Sequence, residues 1–221
     1  MTDRYAVIGN PIAHSKSPQI HMAFARSTGQ DIDYTRLEAA LDAFAPTVLA
    51  FRDAGGRGMN VTAPFKLQAF ELATDRHEAA RIAGAANALK FTGSRIEAEN
   101  FDGVGLANDI ERNLGLRLAG KRVLFLGAGG AVRGAVPPFL ARGPAEVVIA
   151  NRTVPKAKEL AKTFAQFGKI EGVGYDELVG KRFDVVINGT SASLKGEMPP
   201  LPVNVFAGNA VAYDMMYDDK P

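Results

Sequence analysis

The sequence predicts an α/β protein of two three-layer domains, and three observations predict it. Short strand-like apolar runs alternate with helical ones from the N-terminus onward, which implies mostly parallel sheets covered by helices. A glycine-rich turn, Gly127 to Val132, separates a buried strand from a helix. The elements after residue 100 follow a β-α-β-α-β order, that of a doubly wound nucleotide-binding sheet. With 221 residues, 47% apolar and 23% charged, the chain is an ordinary globular one with material for one or two cores. The first domain is assigned to 1–102 and the second to 103–221.

In the first domain the strand RYAVI (4–8) leads to a helix from Pro18 to about Ser27. Ser17 stands at the expected N-cap, and Gly29 where a helix-ending glycine is expected. DYTRL (33–37) is a strand, Leu41 to Arg52 a helix, MNV (59–61) a strand and PFKLQAFELA (64–73) the next helix. ALKF and RIEAE form a hairpin turning on Thr92 to Ser94. In the second domain a helix covers 104–115, followed by the strand KRVLFLG (121–127), the glycine turn and a helix. AEVVIA (145–150), the helix of VPKAKELAKTFAQFG, FDVVING (183–189) and AVAYDMMY (210–217) complete it. Pro137 and Pro138 fall inside the helix after the glycine turn, where each removes a backbone donor, so that helix is expected to kink or stop early.

Several function classes are excluded. There is no cysteine, so disulfides and thiolate metal sites are out, and His14, His21 and His77 lack metal-motif spacing. Redox chemistry would have to come from a borrowed cofactor. No apolar run approaches the roughly 18 residues that span a bilayer, and the N-terminus breaks on Gly9, Asn10 and Pro11 before a signal core could form. A soluble, cytoplasmic protein is expected. The net charge of +2 comes from scattered residues, which argues against nucleic acid.

The glycine turn points to a dinucleotide. Gly127 allows the tight turn, and Gly129 lets the backbone of Ala128, Gly130 and Ala131 approach a pyrophosphate at the helix N-terminus. Val132 stands where the fingerprint wants glycine or alanine, so the strict motif is incomplete. At the end of the following strand, an NAD site would place an acid on the ribose hydroxyls. Here the residues are Asn151, Arg152 and Thr153, with Lys156 one turn on. A guanidinium can stack on a purine and fork onto a phosphate, which favours NADP. Cations at a helix N-terminus oppose its dipole, so an anion gives them a reason to be there. The same objection applies to Lys66 in NVTAPFK (60–66), a lone cation aimed into the first turn of a helix.

GNPIAHSKSP (9–18), NVTAPFK, AGAANAL (83–89), NFDGVG (100–105), GAGGAVRG (127–134), NRTVPKA (151–157), INGTSA (187–192) and YDMMY (213–217) occur in this order. Together they closely resemble shikimate dehydrogenase, over essentially the whole chain. The resemblance implies an N-terminal substrate domain, a C-terminal Rossmann-like NADP domain and an active-site cleft between them. It implies NADPH-dependent, reversible reduction of 3-dehydroshikimate to shikimate on the route to chorismate and aromatic amino acids, in a monomer or homodimer. Residue by residue, Ser15 and Ser17 hold the substrate carboxylate; Thr62, Asn87 and Asp102 match ligands of the ring hydroxyls. Lys66 and Asp102 match the catalytic pair, and Tyr217 a tyrosine near the substrate. Thr190, Ser191 and Met215 fall on the nicotinamide side. The chemistry suits Lys66, because hydride delivery to a ketone builds charge on its oxygen that a cationic proton donor stabilises and quenches.

The chain departs from the family pattern at Phe101 and Ala88, each in place of a threonine, and at Gly189 in place of a common alanine. A bulky ring beside Asp102 is expected to narrow the pocket. The family continues for some dozens of residues past this ending, with a glutamine for the substrate and helices returning to the first domain. Apolar surface is accordingly expected to lie uncovered on both domains. Two alternatives stand beside the enzyme: a non-catalytic homologue that binds NADP(H) or shikimate, and a relative that oxidises quinate with NAD.

Overall fold

The computed structural model describes residues 2–190, 192 and 197–216. The chain divides into two compact units, Met1–Phe101 and Asp102–Pro221. Among the described residues no helix is long and apolar enough to cross a membrane.

The first unit runs β1 (Asp3–Gly9), α1 (Ser17–Thr28), β2 (Ile32–Glu38), α2 (Phe44–Asp53), β3 (Gly56–Val61), α3 (Lys66–Leu72), β4 (Asp75–Arg76), α4 (Glu78–Ala83), β5 (Ala88–Thr92) and β6 (Arg95–Glu99). These strands form one sheet in the order β2-β1-β3-β5-β6-β4. β5 alone is antiparallel to its neighbours β3 and β6, and the other pairings are parallel. Alternation along β1 explains why it is central: Ala6 and Ile8 join the core with Phe44, Val48 and Phe65, while Val7 joins Ile12 and Tyr34 on the opposite face.

Three boundaries move from the sequence expectation, each for a local reason. α1 begins at Ser17 itself, with Lys16 at the N-cap and no side-chain cap, so Ser17 is not the capping residue. Gly29 does end it, at φ 67°. α2 begins at Phe44 and not at Leu41: Leu41 is exposed, and Phe44 is the first residue of the helix's buried face. α3 begins at Lys66, because a turn closed by the Phe65 N–H on the Thr62 carbonyl (3.0 Å) holds the preceding residues. β4 and α4 carried no periodic signal; β4 is two residues, fixed only by pairing with β6.

The second unit runs α5 (Asp102–Asn108), a π-helical turn (Asp109–Asn113), β7 (Arg122–Leu126), α6 (Gly130–Leu140), β8 (Glu146–Ala150), α7 (Val154–Phe164), β9 (Ile170–Val173), β10 (Phe183–Asn188) and β11 (Phe206–Asp214). Its strands are all parallel, in the order β11-β10-β7-β8-β9. That is the arrangement of the first five strands of a dinucleotide-binding sheet. β9 went unrecognised in the sequence because it is four residues long with a glycine inside, and β11 starts at Phe206 and not at residue 210.

α6 does not stop at its prolines but runs on to Leu140. The two absent N–H groups would have bonded the carbonyls of Arg133 and Gly134. Gly103 of α5 lies against that bared stretch. A Cβ on Gly103 would sit 2.4 Å from the Gly134 oxygen and 2.7 Å from Ala135 Cα, so only glycine allows α5 and α6 this close.

Candidate functional site

In an open α/β sheet the natural binding crevice lies beyond the carboxyl ends of the strands, where the strand order reverses. In the first unit that point lies between β1 and β3. The loops there are tied together by backbone bonds: the Thr62 N–H donates to the Ile8 carbonyl (2.9 Å) and the Asn10 N–H to the Ala63 carbonyl (3.1 Å). The peptide bonds Asn10–Pro11 and Ala63–Pro64 are both cis.

The structure gathers the polar residues of the first unit around this crevice. Lys66 is the first residue of α3, in a turn without an acidic residue. Its carbonyl accepts the Ala86 N–H at 2.9 Å, and one residue on, the Asn87 carbonyl accepts the Val61 N–H at 2.8 Å. The Asn87 side chain is engaged as well, its Oδ1 accepting the Phe101 N–H at 2.9 Å. Thr62, Lys66 and Asn87 therefore share one hydrogen-bonded frame. Ser15 is 3% exposed. Its hydroxyl donates to Ser17 Oγ at 3.2 Å and accepts the Ser17 N–H at 3.3 Å, so the two hydroxyls are held as a pair.

Two polar residues that the sequence reading passed over support this frame. Asn100 is buried, and its Nδ2 donates to the Ala85 carbonyl at 3.0 Å, fixing the loop before Asn87 to the end of β6. Arg36 of β2 donates through Nε (2.9 Å) and Nη2 to the Ser15 carbonyl. Asn100 opens the NFDGVG stretch but was given no role there, and a strand arginine gave no motif by which to find it. Phe101 is 60% exposed, and its ring lines a groove with His21, Phe24, Tyr34 and Asn60. His21 stacks on Tyr34 with ring centroids 4.4 Å apart. Burial lowers the His21 pKa, against a hydrogen bond that the imidazole donates to Asn60, and burial raises the Tyr34 hydroxyl well above the usual phenol range.

In the second unit the reversal lies between β7 and β10, and the loops beyond those strands meet there. Gly127 has φ +100°, and a Cβ on it would stand 3.1 Å from the Thr190 methyl and 3.3 Å from the Gly189 oxygen. Gly129 is the N-cap of α6, without a side-chain cap, and the space where its Cβ would be is open. A backbone cradle with free approach at a helix N-terminus fits a dinucleotide pyrophosphate. Asn188, also missed in the sequence, organises the other wall. Its Oδ1 accepts from the Thr190 N–H (3.1 Å) and hydroxyl (2.7 Å), and its carbonyl accepts the Met215 N–H (2.9 Å).

Val132 is fully buried, and a Cβ at Gly189 would lie 2.5 Å from its Cγ2. The incomplete fingerprint and the missing alanine are thus one packing event: valine at 132 needs glycine at 189. At the end of β8, Asn151 Nδ2 donates to the Thr153 carbonyl at 2.9 Å, and Arg152 and Lys156 stand exposed beside an α7 N-terminus with no acidic residue in its first turn. Arg152 and Asn151 line a depression with Val154, Tyr175 and Leu201. Asp102 opens α5, where a carboxylate suits the helix dipole. Ser191 and Tyr217 lie outside the described residues.

Residues 7–89 match the family model of the shikimate dehydrogenase substrate binding domain, and residues 108–195 match that of shikimate / quinate 5-dehydrogenase. The chain is 56% identical over 217 residues to the shikimate dehydrogenase (NADP(+)) of Chromobacterium violaceum, covering 98% of this chain and 80% of that one. Among solved structures it is similar to an Ael1 enzyme from Pseudomonas putida, with a TM-score of 0.87 and 55% identity over 98% of this chain and 79% of that one. It is also similar to a shikimate 5-dehydrogenase from Thermus thermophilus in complex with NADP(H) and shikimate, with a TM-score of 0.86 and 30% identity over 99% of this chain and 80% of that one.

Proposed function

The chain belongs to the shikimate dehydrogenase family, and from that premise we propose that it performs the family's reaction, the reversible NADPH-dependent reduction of 3-dehydroshikimate to shikimate, on the residues gathered at its two crevices. In the first unit Ser15 and Ser17 take the substrate carboxylate, and Thr62 and Asn87 the ring hydroxyls. Lys66 gives its proton to the carbonyl oxygen as charge develops there, and Asp102 is the carboxylate of the catalytic pair. Tyr217 completes the substrate set.

In the second unit, the backbone of Gly127, Ala128, Gly129, Gly130 and Ala131 takes the pyrophosphate. Asn151, Arg152, Thr153 and Lys156 take the ribose phosphate, and Thr190, Ser191 and Met215 flank the nicotinamide. NADPH, when bound, supplies the hydride; the protein's own part is to hold the ketone and to place one proton. The first unit is the substrate domain and the second the cofactor domain, in a cytoplasmic enzyme that is a monomer or homodimer.

The observation that carries this reading is the shared frame at the β1/β3 crevice, where the Lys66 carbonyl takes the Ala86 N–H and the Asn87 side chain takes the Phe101 N–H. Such a frame fixes the backbone that carries the proton donor relative to a hydroxyl ligand. The test is NADPH oxidation with 3-dehydroshikimate by the wild type and by Lys66→Ala. Turnover in the wild type, lost in the variant while shikimate binding persists, supports it. A wild type that binds NADPH and shikimate without turnover refutes it.

A further inference from the structure

We propose that Arg36 is the charge behind the carboxylate subsite, the residue by which the first unit selects an acid over its neutral analogue. The inference rests on the reading of Ser15 and Ser17 given above. Two neutral hydroxyls are a weak recognition element for an anion, and the backbone beside them makes matters worse. The carbonyl oxygen of Ser15 carries partial negative charge next to where a carboxylate would lie. Arg36 removes that obstacle. Its Nε (2.9 Å) and Nη2 both donate to the Ser15 carbonyl, and Nη2 also reaches Gln19 Oε1 at 3.2 Å, tying β2, the serine loop and α1 together.

Both acceptors of the guanidinium, the Ser15 carbonyl and Gln19 Oε1, are neutral oxygens and neither is a carboxylate. Ser15 itself is buried. The cation is itself exposed, but held on the Ser15 carbonyl it offsets that carbonyl's dipole and leaves a solvent-screened positive field beside the hydroxyl pair. Arginine suits this position because its rigid fork can hold one oxygen with two donors and still reach a second.

The experiment compares shikimate with its methyl ester, which removes the carboxylate's charge at the cost of one added methyl group, by binding calorimetry with the wild type, Arg36→Gln and Arg36→Lys. Arg36→Gln is expected to weaken shikimate about fivefold, the scale of a partly exposed charge interaction, and to leave the methyl ester within about twofold. Arg36→Lys, which keeps the charge and loses the fork, is expected to fall between the two. The wild type supplies an independent readout that needs no variant: raising the salt concentration should weaken shikimate and spare the ester. Equal weakening of both ligands in Arg36→Gln would make Arg36 a mere structural brace and overturn the proposal, as would a salt-independent preference for the acid. Should the wild type bind neither ligand, the functional reading falls, and the Arg36 assignment with it. If it binds shikimate but is indifferent to residue 36, only the latter is lost.

Discussion

The two units put their candidate sites at the same point of a sheet, where the strand order reverses, yet make them from opposite materials. At the β1/β3 crevice the site is built of side chains, Ser15, Thr62, Lys66 and Asn87, on a backbone whose amides and carbonyls are already spoken for. At the β7/β10 crevice it is built by taking side chains away, with Gly127, Gly129 and Gly189 leaving bare backbone and the cations Arg152 and Lys156 standing in solvent. On the function proposed above, the difference follows from what each would hold. Proton transfer requires a donor at a fixed atom, whereas a pyrophosphate is held by amides that no side chain obstructs and by charge that can adjust.

The largest break in that contrast should come from Lys66→Met. Loss of the proton donor is expected to reduce kcat about a thousandfold, the scale of general acid catalysis, with shikimate affinity changed only a few-fold. Retained turnover would mean the first crevice is not the side-chain site claimed. In the other unit Arg152→Ala is expected to raise the KM for NADPH about tenfold or more, since charge-assisted hydrogen bonds are worth about 1.5–3 kcal/mol, and to leave NADH unaffected. Steady-state kinetics with both cofactors checks it, and an equal loss with NADH would contradict the phosphate assignment.

Gly189→Ala tests the bare-backbone half of the comparison. The alanine Cβ meets Val132, so urea unfolding should show a loss of about 1–3 kcal/mol, recovered in large part by adding Val132→Ala. A double variant no better than the single would separate the two positions.

The smallest effect is a difference in acid tolerance. His21, in the first unit, has its pKa lowered below 6.5 by burial. Its contribution is complete above pH 6.5 and declines as the unfolded chain takes up a proton that the folded one refuses. Glu111, in the second unit, is held below 4.5 by the Leu118 N–H and by Arg142, so its contribution is kept down to about that pH and lost as pH falls through the folded value. Urea midpoints measured across this range should show the first unit weakening before the second, and His21→Gln should flatten the early decline.

This contrast also governs what could be read without coordinates. Short continuous apolar runs such as RYAVI and KRVLFLG gave the strands, because a strand covered by helices on both faces is apolar at successive residues. Gly127 and Gly129 were legible through their context, a strand before them, a helix after them, and Asn151, Arg152 and Thr153 at the end of the next strand. Asn100 and Arg36 were not legible in role, since each acts by bonding a backbone carbonyl brought near by folding, 15 and 21 residues away in sequence. The link between Val132 and Gly189 was half visible: both were noted as departures from pattern, and only contact across the sheet reveals that one accommodates the other. α6 decides what the sequence left open: Pro137 and Pro138 allowed a kink or an early stop, and the helix runs on to Leu140 with α5 packed closely against it.

The lone reversed strand, β5, has a practical corollary. Because it runs back from Ala88 to Thr92 before β6 returns, the hairpin tip at Gly93 lies a full strand away from Asn87, roughly 17 Å at about 3.3 Å per residue. The tip is exposed, with φ +60° and nothing within 4 Å of where a side chain would project. It is therefore the natural place to splice in an affinity tag or attach a fluorophore, reporting on the first unit without disturbing the chemistry at its opposite rim.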